Sequence, residues 1–386
     1  MMLEYIHVCL KKTAGREAAE KAYSLPGGFC PTDSEEVTAV KFETIVFRDG
    51  KLVILDQTRL PNEEKYIELK TKEEVYDAIK KLMVRGAPAI GDAAGYGLYV
   101  SVRGSRADSL EAFKKEVRET AEYLNSSRPT AVNLSWALNR LLNRLDLFNG
   151  SVEDAKQLLL DEADAIFRED VESCRKMGEY GLTLLKPGMG ILTHCNAGAL
   201  ATARYGTCLS PVYLGEEQGY GFHVYADETR PLLQGARLTS WELKKAGVDV
   251  TLICDNMAAS AMRKGWIQAV VVGCDRMAAN GDGANKIGTS QVAIMAKEYG
   301  IPFYMFVPTS TIDLDTESGD DIVIEERDGE EIYKMWYEKP MAPEGVKTFN
   351  PAFDVTDHKY ITAVVTEKGV ARPPYTESLR RLVHEL

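Results

Sequence analysis

Polar side chains gather where four short apolar runs of the sequence end. The runs cover 191–193, 223–226, 248–253 and 269–273, and they lead into His194-Cys195-Asn196, Asp227-Glu228-Thr229-Arg230, Cys254-Asp255-Asn256 and Cys274-Asp275-Arg276. Apolar runs that alternate with helical stretches predict parallel strands, and ligands bind beyond the carboxyl ends of such strands. We therefore expect the four tails to form a site, each entering a helix whose first amides can face an anion.

Two of these residues are suited to moving protons. Cys195 lies beside Asn196 and close to an expected helix start, which lowers the pKa of a thiol and raises its reactivity. The alternative for Cys195 is a buried cysteine that acts as a small apolar side chain. Asp275 follows a run of valines, so its carboxyl group would enter an apolar cleft with a raised pKa and could donate a proton. The alternative for Asp275 is a structural carboxylate that pairs with Arg276 or caps the next helix.

Two glycine-containing segments could bind a phosphate group. The segment 281–289 leads into a predicted helix and carries Lys286, so backbone amides and an ammonium group could meet an anion there. Arg85 is followed by Gly86, which pairs a planar guanidinium with a backbone that a ligand can approach closely. The GxxxxGK[ST] pattern and a complete dinucleotide fingerprint are absent, so neither a P-loop nor NAD binding is expected.

Charge and composition limit the partners. The 386 residues carry a formal net charge of −12 at pH 7, and an acidic surface lacks the basic footprint of nucleic-acid binding. No apolar run reaches the roughly 18 residues of a membrane-spanning helix, so no membrane association is expected. The seven cysteines are scattered without CxxC pairs, which favours a reduced, cytoplasmic location. The five histidines show no metal-ligand spacing, so no metal is expected.

The elements that must position these residues fall into an α/β arrangement. Up to about residue 186 the pattern is mainly helical, after a hairpin signal at Asp49-Gly50 and a capping box from Thr71 to Glu74. Beyond it, strands alternate with helices, which predicts a Rossmann-like parallel sheet. We expect an N-terminal extension, a mainly helical N-terminal domain with short strands, and a Rossmann-like catalytic domain, at 1–40, 41–186 and 187–386. The acidic stretch 313–347 is expected to be a solvated loop with a hairpin.

Six segments, taken together and in order, resemble one enzyme family. They are VRGAPAIG at 84–91, RPTAVNLSWAL at 128–138, LTHCNAGALAT at 192–202, ETRPLLQGARLTSWEL at 228–243, GCDRMAANGDGANKIGT at 273–289 and NPAFDVT at 350–356. The chain resembles the methylthioribose-1-phosphate isomerase family. That family shares its fold with the regulatory subunits of translation initiation factor 2B and with archaeal ribose-1,5-bisphosphate isomerases.

The resemblance implies an aldose–ketose isomerase that needs no metal and no cofactor. It implies that Cys195 and Asp275 are catalytic, with Asp275 as the proton donor. The family's substrate-binding positions fall on Arg85, Gly86, Ala87, Arg128, Gln234, Asn285 and Lys286. The resemblance also implies a homodimer formed through the C-terminal domains, and a sugar-phosphate site in the cleft between the two domains of each chain.

The resemblance leaves several activities open. The expected reaction converts 5-methylthioribose 1-phosphate to 5-methylthioribulose 1-phosphate in methionine salvage. CNAG and GCDRM depart from the family's more usual CNTG and GADRI, which keeps 5-deoxyribose 1-phosphate as an alternative substrate. A ribose-1,5-bisphosphate isomerase would have to hold a second phosphate where this family holds an apolar group. A non-catalytic regulatory subunit would not need Cys195, Asp275 or Lys286, all of which are present. Both a cis-enediol and a hydride shift fit the residues.

Overall fold

A computed structural model describes residues 38–128 and 131–384 of the chain. The predicted N-terminal extension lies outside the described residues, apart from 38–40. Across both described ranges, no helix combines the length and the apolar character that crossing a membrane requires.

The first half of the described chain combines a small antiparallel sheet with packed helices. The strands pair in the order β1 (Ile45–Arg48), β2 (Lys51–Leu55) and β3 (Tyr66–Leu69). The hairpin predicted at Asp49 and Gly50 is confirmed, because both residues have positive φ and join β1 to β2. The helices are α1 (Lys72–Lys80), α2 (Ala87–Val102), α3 (Leu110–Asn125), α4 (Val132–Asp146) and α5 (Val152–Leu182).

Local sequence explains how two of these helices form. Helix α1 begins at the predicted capping box, where the Glu74 amide donates to Thr71 Oγ1 and the Thr71 amide donates to Glu74 Oε2. Helix α2 was not predicted, since its small apolar residues leave no polar face to mark a period. A helix that is apolar on all sides is a buried one. Accordingly, α2 lies at the centre of the helical core.

The second half is built on a seven-stranded sheet, which confirms the predicted α/β class with a parallel sheet. Its strands are β4 (Gly190–Thr193), β5 (His223–Asp227), β6 (Asp249–Ile253), β7 (Ala269–Val272), β10 (Phe303–Phe306), β13 (Ala363–Thr366) and β14 (Gly369–Ala371). They lie in the order β14-β13-β10-β7-β4-β5-β6, and among these described strands only β14 is antiparallel to its neighbour. The helices are α6 (Ser210–Glu217), α7 (Ser240–Ala246), α8 (Ala258–Arg263), α9 (Thr289–Glu298), α10 (Glu330–Tyr333) and α11 (Tyr375–His384).

The strand order creates a switch point between β4 and β7. From β4 the chain adds β5 and β6 on one side, and then returns to add β7, β10 and β13 on the other. Connections that diverge in this way leave a crevice at the carboxyl ends of the two central strands, where ligands bind in doubly wound sheets. The fold therefore fixes one place for a site before any side chain is considered.

A second small sheet follows β7, where a helix was expected. Strands β8 (Arg276–Ala278) and β9 (Gly283–Lys286) form an antiparallel hairpin, flanked by β11 (Ile312–Asp313) and β12 (Phe353–Thr356). The expectation that the Asp275 tail enters a helix directly was therefore wrong. The Asp275 amide donates to the Ala284 carbonyl at 2.9 Å, which extends the hairpin pairing.

Helix α5 connects the two halves through their cores. Its first part packs in the helical core through Leu159 and Ala163, whereas Cys174 and Met177 pack in the core that covers the large sheet. One rigid 31-residue helix thus sets the position of the helical half against the sheet. The boundary at 187 falls between α5 and β4, and the division into domains there stays a prediction.

Most of the acidic stretch 313–347 is exposed, as expected for a solvated loop, but it contains the short helix α10. The hairpin expected within it does not form in these described residues, since β11 at its start pairs in parallel with β8. Trp336 of this stretch lies on the loop after β5. The indole Nε1 of Trp336 donates to the Pro231 carbonyl at 2.7 Å. The Arg237 guanidinium lies over the Trp336 ring, 4.8 Å from its centre. The composition of the stretch could not predict this contact, because composition describes the stretch as a whole and a single tryptophan makes the contact.

Candidate active site

Cys195 and Asp275 lie just beyond the two strands that border the switch point. Strand β4 ends at Thr193 and β7 at Val272, so both side chains reach the same crevice. Cys195 is 9% exposed. The Asp275 side chain is exposed to solvent, although many protein atoms lie around its carboxyl group, as expected at the open side of a crevice.

Three cationic side chains surround this pair. Arg85 and Lys286 act electrostatically on Cys195, and both of them act with Arg128 on Asp275. Arg85 precedes α2 and Arg128 follows α3, whereas Lys286 ends β9, so both halves of the chain contribute. Such a concentration of positive charge suits a phosphate dianion and fits poorly with a role in the hydrophobic core.

Burial raises the pKa of both proton-bearing groups. It raises the pKa of the Cys195 thiol, although Arg85 and Lys286 oppose the change. It also raises the pKa of the Asp275 carboxyl against Lys286, Arg85 and Arg128. The prediction that a helix start lowers the pKa of this thiol was wrong. Burial raises the pKa, and only a three-residue 3-10 turn (Ala199–Ala201) follows Cys195 before α6, so no helix begins beside the thiol.

The raised carboxyl pKa makes Asp275 able to hold and donate a proton. Asp275 does not form the structural ion pair with Arg276 that was the alternative. Arg276 Nη1 instead lies 3.8 Å from Asp313 Oδ2, on the adjacent strand. Asp275 therefore faces Lys286 and Arg85 in the cleft.

Asn196, which the site prediction omitted, holds Arg85 in place. Arg85 Nη1 donates to Asn196 Oδ1 at 2.6 Å, and Nη2 donates to the Asn196 carbonyl at 3.0 Å. The side-chain Nδ2 of Asn196 donates in turn to the Glu242 carboxyl group and, at 3.1 Å, to Thr239 Oγ1. The Glu242 carboxyl is fully buried, and burial raises its pKa to about 7. The only sequence signal for Asn196 was its place beside Cys195.

Gly86 and Ala87 form the start of α2 at the edge of the cleft. Gly86 has φ +89 and packs against Ala201, and Ala87 is the first helical residue and is exposed. The amides at the start of a 16-residue helix point outward and carry partial positive charge, which favours a bound phosphate.

We expect the substitution Gly86→Ala to destabilise the protein by more than about 1 kcal/mol, since alanine is strained at positive φ. The new Cβ would lie 2.4 Å from the Ala201 carbonyl oxygen, so the start of α2 must move and the KM for a substrate whose phosphate binds there should rise. Thermal unfolding and initial rates measure both effects. The control is Gly104→Ala, where a Cβ meets nothing within 4 Å. Unchanged melting temperature and KM in Gly86→Ala would contradict the predicted close packing.

The remaining predicted binding residues are buried beside the cleft. Lys286 Nζ donates to the Ala352 carbonyl at 2.9 Å, and Asn285 Nδ2 donates to Thr289 Oγ1 at 3.0 Å. Gln234 is 7% exposed, and among the described residues its Oε1 has no hydrogen-bond partner. Buried polar atoms are nearly always paired in native proteins, so this oxygen would gain a hydroxyl of a ligand as its partner only after the Gln234 side chain turns toward the cleft.

Comparison with known proteins places the chain in a family. The model of the Initiation factor 2 subunit family matches residues 83–373. A protein from Symbiobacterium thermophilum named methylthioribose-1-phosphate isomerase is 64% identical over 335 residues, covering 86% of this chain and 92% of the relative. A protein from Petrotoga mobilis named 5-deoxyribose 1-phosphate isomerase is 62% identical over 334 residues, covering 86% and 96%.

A solved structure agrees with the sequence relatives. The crystal structure of 5-methylthioribose 1-phosphate isomerase from Pyrococcus horikoshii superimposes with a TM-score of 0.88 at 44% identity, covering 91% of this chain and 99% of that one. The likeness thus extends over both halves of the fold and over all but a few residues of the solved chain. The chain belongs to the Initiation factor 2 subunit family.

Proposed function

We propose that this protein is an aldose–ketose isomerase that converts 5-methylthioribose 1-phosphate to 5-methylthioribulose 1-phosphate, a step of methionine salvage. One observation carries the proposal: Cys195 and Asp275 share the crevice at the switch point, both have raised pKa values, and Arg85, Arg128 and Lys286 surround them. A carboxyl group that can donate a proton and a thiol, both beside a cationic pocket, suit hydrogen transfer within a phosphorylated sugar. The names of the most similar relatives support the same activity.

The cations and the start of α2 bind the phosphate in this mechanism. Arg85, Arg128 and Lys286 supply charge, and the amides of Gly86 and Ala87 supply hydrogen bonds. Gln234 and Asn285 then contact sugar hydroxyls. Because the phosphate takes no part in the bond changes, its binding energy serves to hold C1 and C2 of the sugar beside Asp275 and Cys195.

The reaction has to open a ring whose C1 carries a phosphate. Asp275 gives its proton to the ring oxygen as the bond from that oxygen to C1 breaks. A hydrogen moves from C2 to C1, and the C2 hydroxyl loses its proton, which returns to the Asp275 carboxylate. C1 is reduced and C2 is oxidised within one molecule, so no external redox partner takes part. Cys195 either takes the C2 proton as a thiolate, beside Arg85 and Lys286, and gives the same proton to C1 through a cis-enediol, or stabilises the charge during a hydride shift.

A second substrate is favoured by the relatives' names. At 62% identity, a relative is named for 5-deoxyribose 1-phosphate, in which a methyl group replaces the methylthiomethyl end. An apolar pocket distinguishes groups of this size by only about 1–3 kcal/mol. We therefore propose that the chain also accepts 5-deoxyribose 1-phosphate, with values of kcat/KM for the two sugars within about 200-fold of each other.

Initial rates on both sugar phosphates test the function. Turnover of 5-methylthioribose 1-phosphate supports the main proposal, and faster turnover of 5-deoxyribose 1-phosphate moves the role to deoxyribose disposal. Ribose 1,5-bisphosphate is the third substrate to assay, because its second phosphate would have to meet a cation where the others present an apolar group. If folded protein turns over none of the three, the isomerase proposal fails and a regulatory-subunit role takes its place.

We further propose a cytoplasmic homodimer that forms through the sheet half. Strand β6 is the edge of the large sheet, and large apolar side chains are exposed on it at Leu252 and just after it at Met257. Trp266, in the loop between α8 and β7, is also exposed and stacks on Tyr225 of the neighbouring β5. Apolar surface of this kind favours association with another chain. Sedimentation analysis distinguishes a dimer from a monomer directly.

A further inference from the structure

Two residues of the site, Cys195 and Thr229, have left-handed backbone conformations. Cys195 has φ +68, and Thr229, in the loop after β5, has φ +63. A β-branched residue is rarely found in this region, and such strain persists only where neighbouring contacts enforce it. The contacts around these two residues therefore indicate what the strain maintains.

Two threonine hydroxyls hold the backbone of Cys195 from both sides. Thr229 Oγ1 accepts the Cys195 amide at 2.9 Å and donates to the Asp227 carbonyl at 3.1 Å. Thr239 Oγ1 donates to the Cys195 carbonyl at 2.6 Å. Both threonines have no exposed surface, so neither can touch a substrate in the cleft.

A carboxylate holds Thr229 in its strained conformation. The Thr229 backbone amide donates a hydrogen bond to Asp255 Oδ1 at 2.7 Å, and the Arg230 backbone amide donates one to Asp255 Oδ2 at 2.7 Å. Hydrogen bonds to an ionised group are stronger than those between neutral groups. The tails of β4, β5 and β6 thus form one chain of contacts from Asp255 through Thr229 to Cys195.

We propose that Thr229 and Thr239 are positioning residues that fix the direction of the Cys195 thiol. The Cα–Cβ bond of Cys195 points into the cleft only while φ keeps its left-handed value. If φ relaxed to the negative range, the thiol would turn away from Arg85, Lys286 and Asp275, the charged groups that face it from the cleft. Cys208 is the titratable group that faces it from the core. This role rests on the proposed isomerase function.

The kinetic test compares valine and serine at each threonine. Valine keeps the shape and removes the hydroxyl, whereas serine keeps the hydroxyl. Because a misplacement of about 1 Å can cost about 10²-fold in rate, we expect kcat to fall by about 10²-fold in Thr229→Val and Thr239→Val. KM should stay within about two-fold, because Thr229 does not contact the phosphate-binding residues and, in Thr239→Val, Asn196 still bonds Glu242 and still accepts both bonds from Arg85. Both serine variants should recover most of kcat.

A matched control separates positioning from general loss of a buried hydroxyl. Thr120→Val removes a hydroxyl that is also buried, in α3, where it donates to the Glu116 carbonyl at 2.8 Å. This variant should keep the kcat and KM of the unchanged protein. If Thr229→Val does not fold, Thr239→Val alone carries the comparison with its serine variant.

Alkylation of Cys195 by iodoacetamide tests the role without any sugar. The rate is followed against pH by mass spectrometry of the Cys195 peptide, with the less buried Cys254 as internal reference. A thiol turned away from Arg85 and Lys286 loses two cations that stabilise its thiolate. The pH profile of Cys195 alkylation should therefore give a higher apparent pKa in the valine variants than in the unchanged protein, and an unchanged apparent pKa in the serine variants.

The outcomes separate this role from the proposed function. Wild-type kcat and an unchanged alkylation profile in both valine variants would overturn the positioning role. Serine variants as slow as their valine counterparts would overturn it as well. If the unchanged protein turns over no sugar phosphate while the alkylation profiles shift as expected, the isomerase proposal fails and the positioning of the thiol stands.

Discussion

Asp275→Asn is expected to lower kcat by about 10²–10⁴-fold, the range that general acid catalysis supplies. Asparagine keeps the size of the side chain and the hydrogen bond of its backbone to Ala284, but its amide cannot give a proton to the ring oxygen. KM should change by less than about three-fold, because the cations that bind the phosphate stay in place. Initial rates over a range of substrate concentrations separate the two parameters.

Asp161→Asn is the control for this substitution. Asp161 is an exposed carboxylate of α5 that accepts a hydrogen bond from Gln157 at 2.7 Å, within the helical half. Its replacement should leave kcat and KM unchanged. An Asp275→Asn variant that is folded and retains more than about a tenth of the original kcat would contradict the assignment of Asp275 as the proton donor.

The pH dependence of kcat follows from the raised pKa of Asp275. A proton donor works only while it is protonated, so kcat should fall as the pH rises through the pKa of Asp275 in the bound enzyme. In the hydride-shift route kcat stays constant below that pH, whereas in the enediol route it also falls at low pH, as the Cys195 thiolate takes up a proton. Substrate that fills the cleft excludes water from the carboxyl, which moves this fall to still higher pH. The residual activity of Asp275→Asn should lack the fall.

Replacing Cys195 has the second large expected effect. In Cys195→Ala, kcat should fall by about 10²–10⁴-fold if the thiol transfers a proton, with KM again near its original value. Cys274→Ala is the matched control, because Cys274 also lies just beyond the end of a strand, β7, but its Sγ donates to the Ala284 carbonyl at 3.5 Å. A Cys195→Ala variant as active as Cys274→Ala would remove Cys195 from the mechanism.

Isotope transfer distinguishes the two routes that Cys195 could serve. With deuterium at C2 of the sugar and ordinary water, a hydride shift keeps the deuterium, which appears at C1 of the product. A cis-enediol passes the hydrogen through Cys195, so part of the label exchanges with water. In the enediol route Cys195→Ser should be nearly as slow as Cys195→Ala, because a hydroxyl is a much weaker acid than a thiol.

Strand ends explain why part of the site could be predicted from sequence. The apolar runs that became β4 and β7 were visible as short stretches of valine and isoleucine, and the rule for parallel sheets then pointed to Cys195 and Asp275. Helices with a polar face and a capping residue were equally accessible, as in α1. Each of these signals is local, within about one turn or one strand.

Contacts between distant segments could not be predicted in this way. The bond from Arg85 to Asn196 and that from Thr229 to the Cys195 amide join residues far apart in the chain, and no local pattern encodes them. The β8–β9 hairpin was missed because the glycine-rich segment 281–289 fits a turn before a helix as well as it fits a short strand. The threonines carried no signal, since a buried threonine is common in any core.

Product analysis by carbon NMR is the most direct test of the central claim, that Asp275 and Cys195 isomerise a phosphorylated sugar. Unchanged protein, Asp275→Asn and Cys195→Ala are each incubated with 5-methylthioribose 1-phosphate labelled with ¹³C at C2. We predict that a ketone carbonyl resonance appears from C2 with the unchanged protein while the phosphate stays attached, and that both variants produce it at least about 10²-fold more slowly. The same resonance formed at an equal rate by folded Asp275→Asn, or no resonance with the unchanged protein, would contradict the claim.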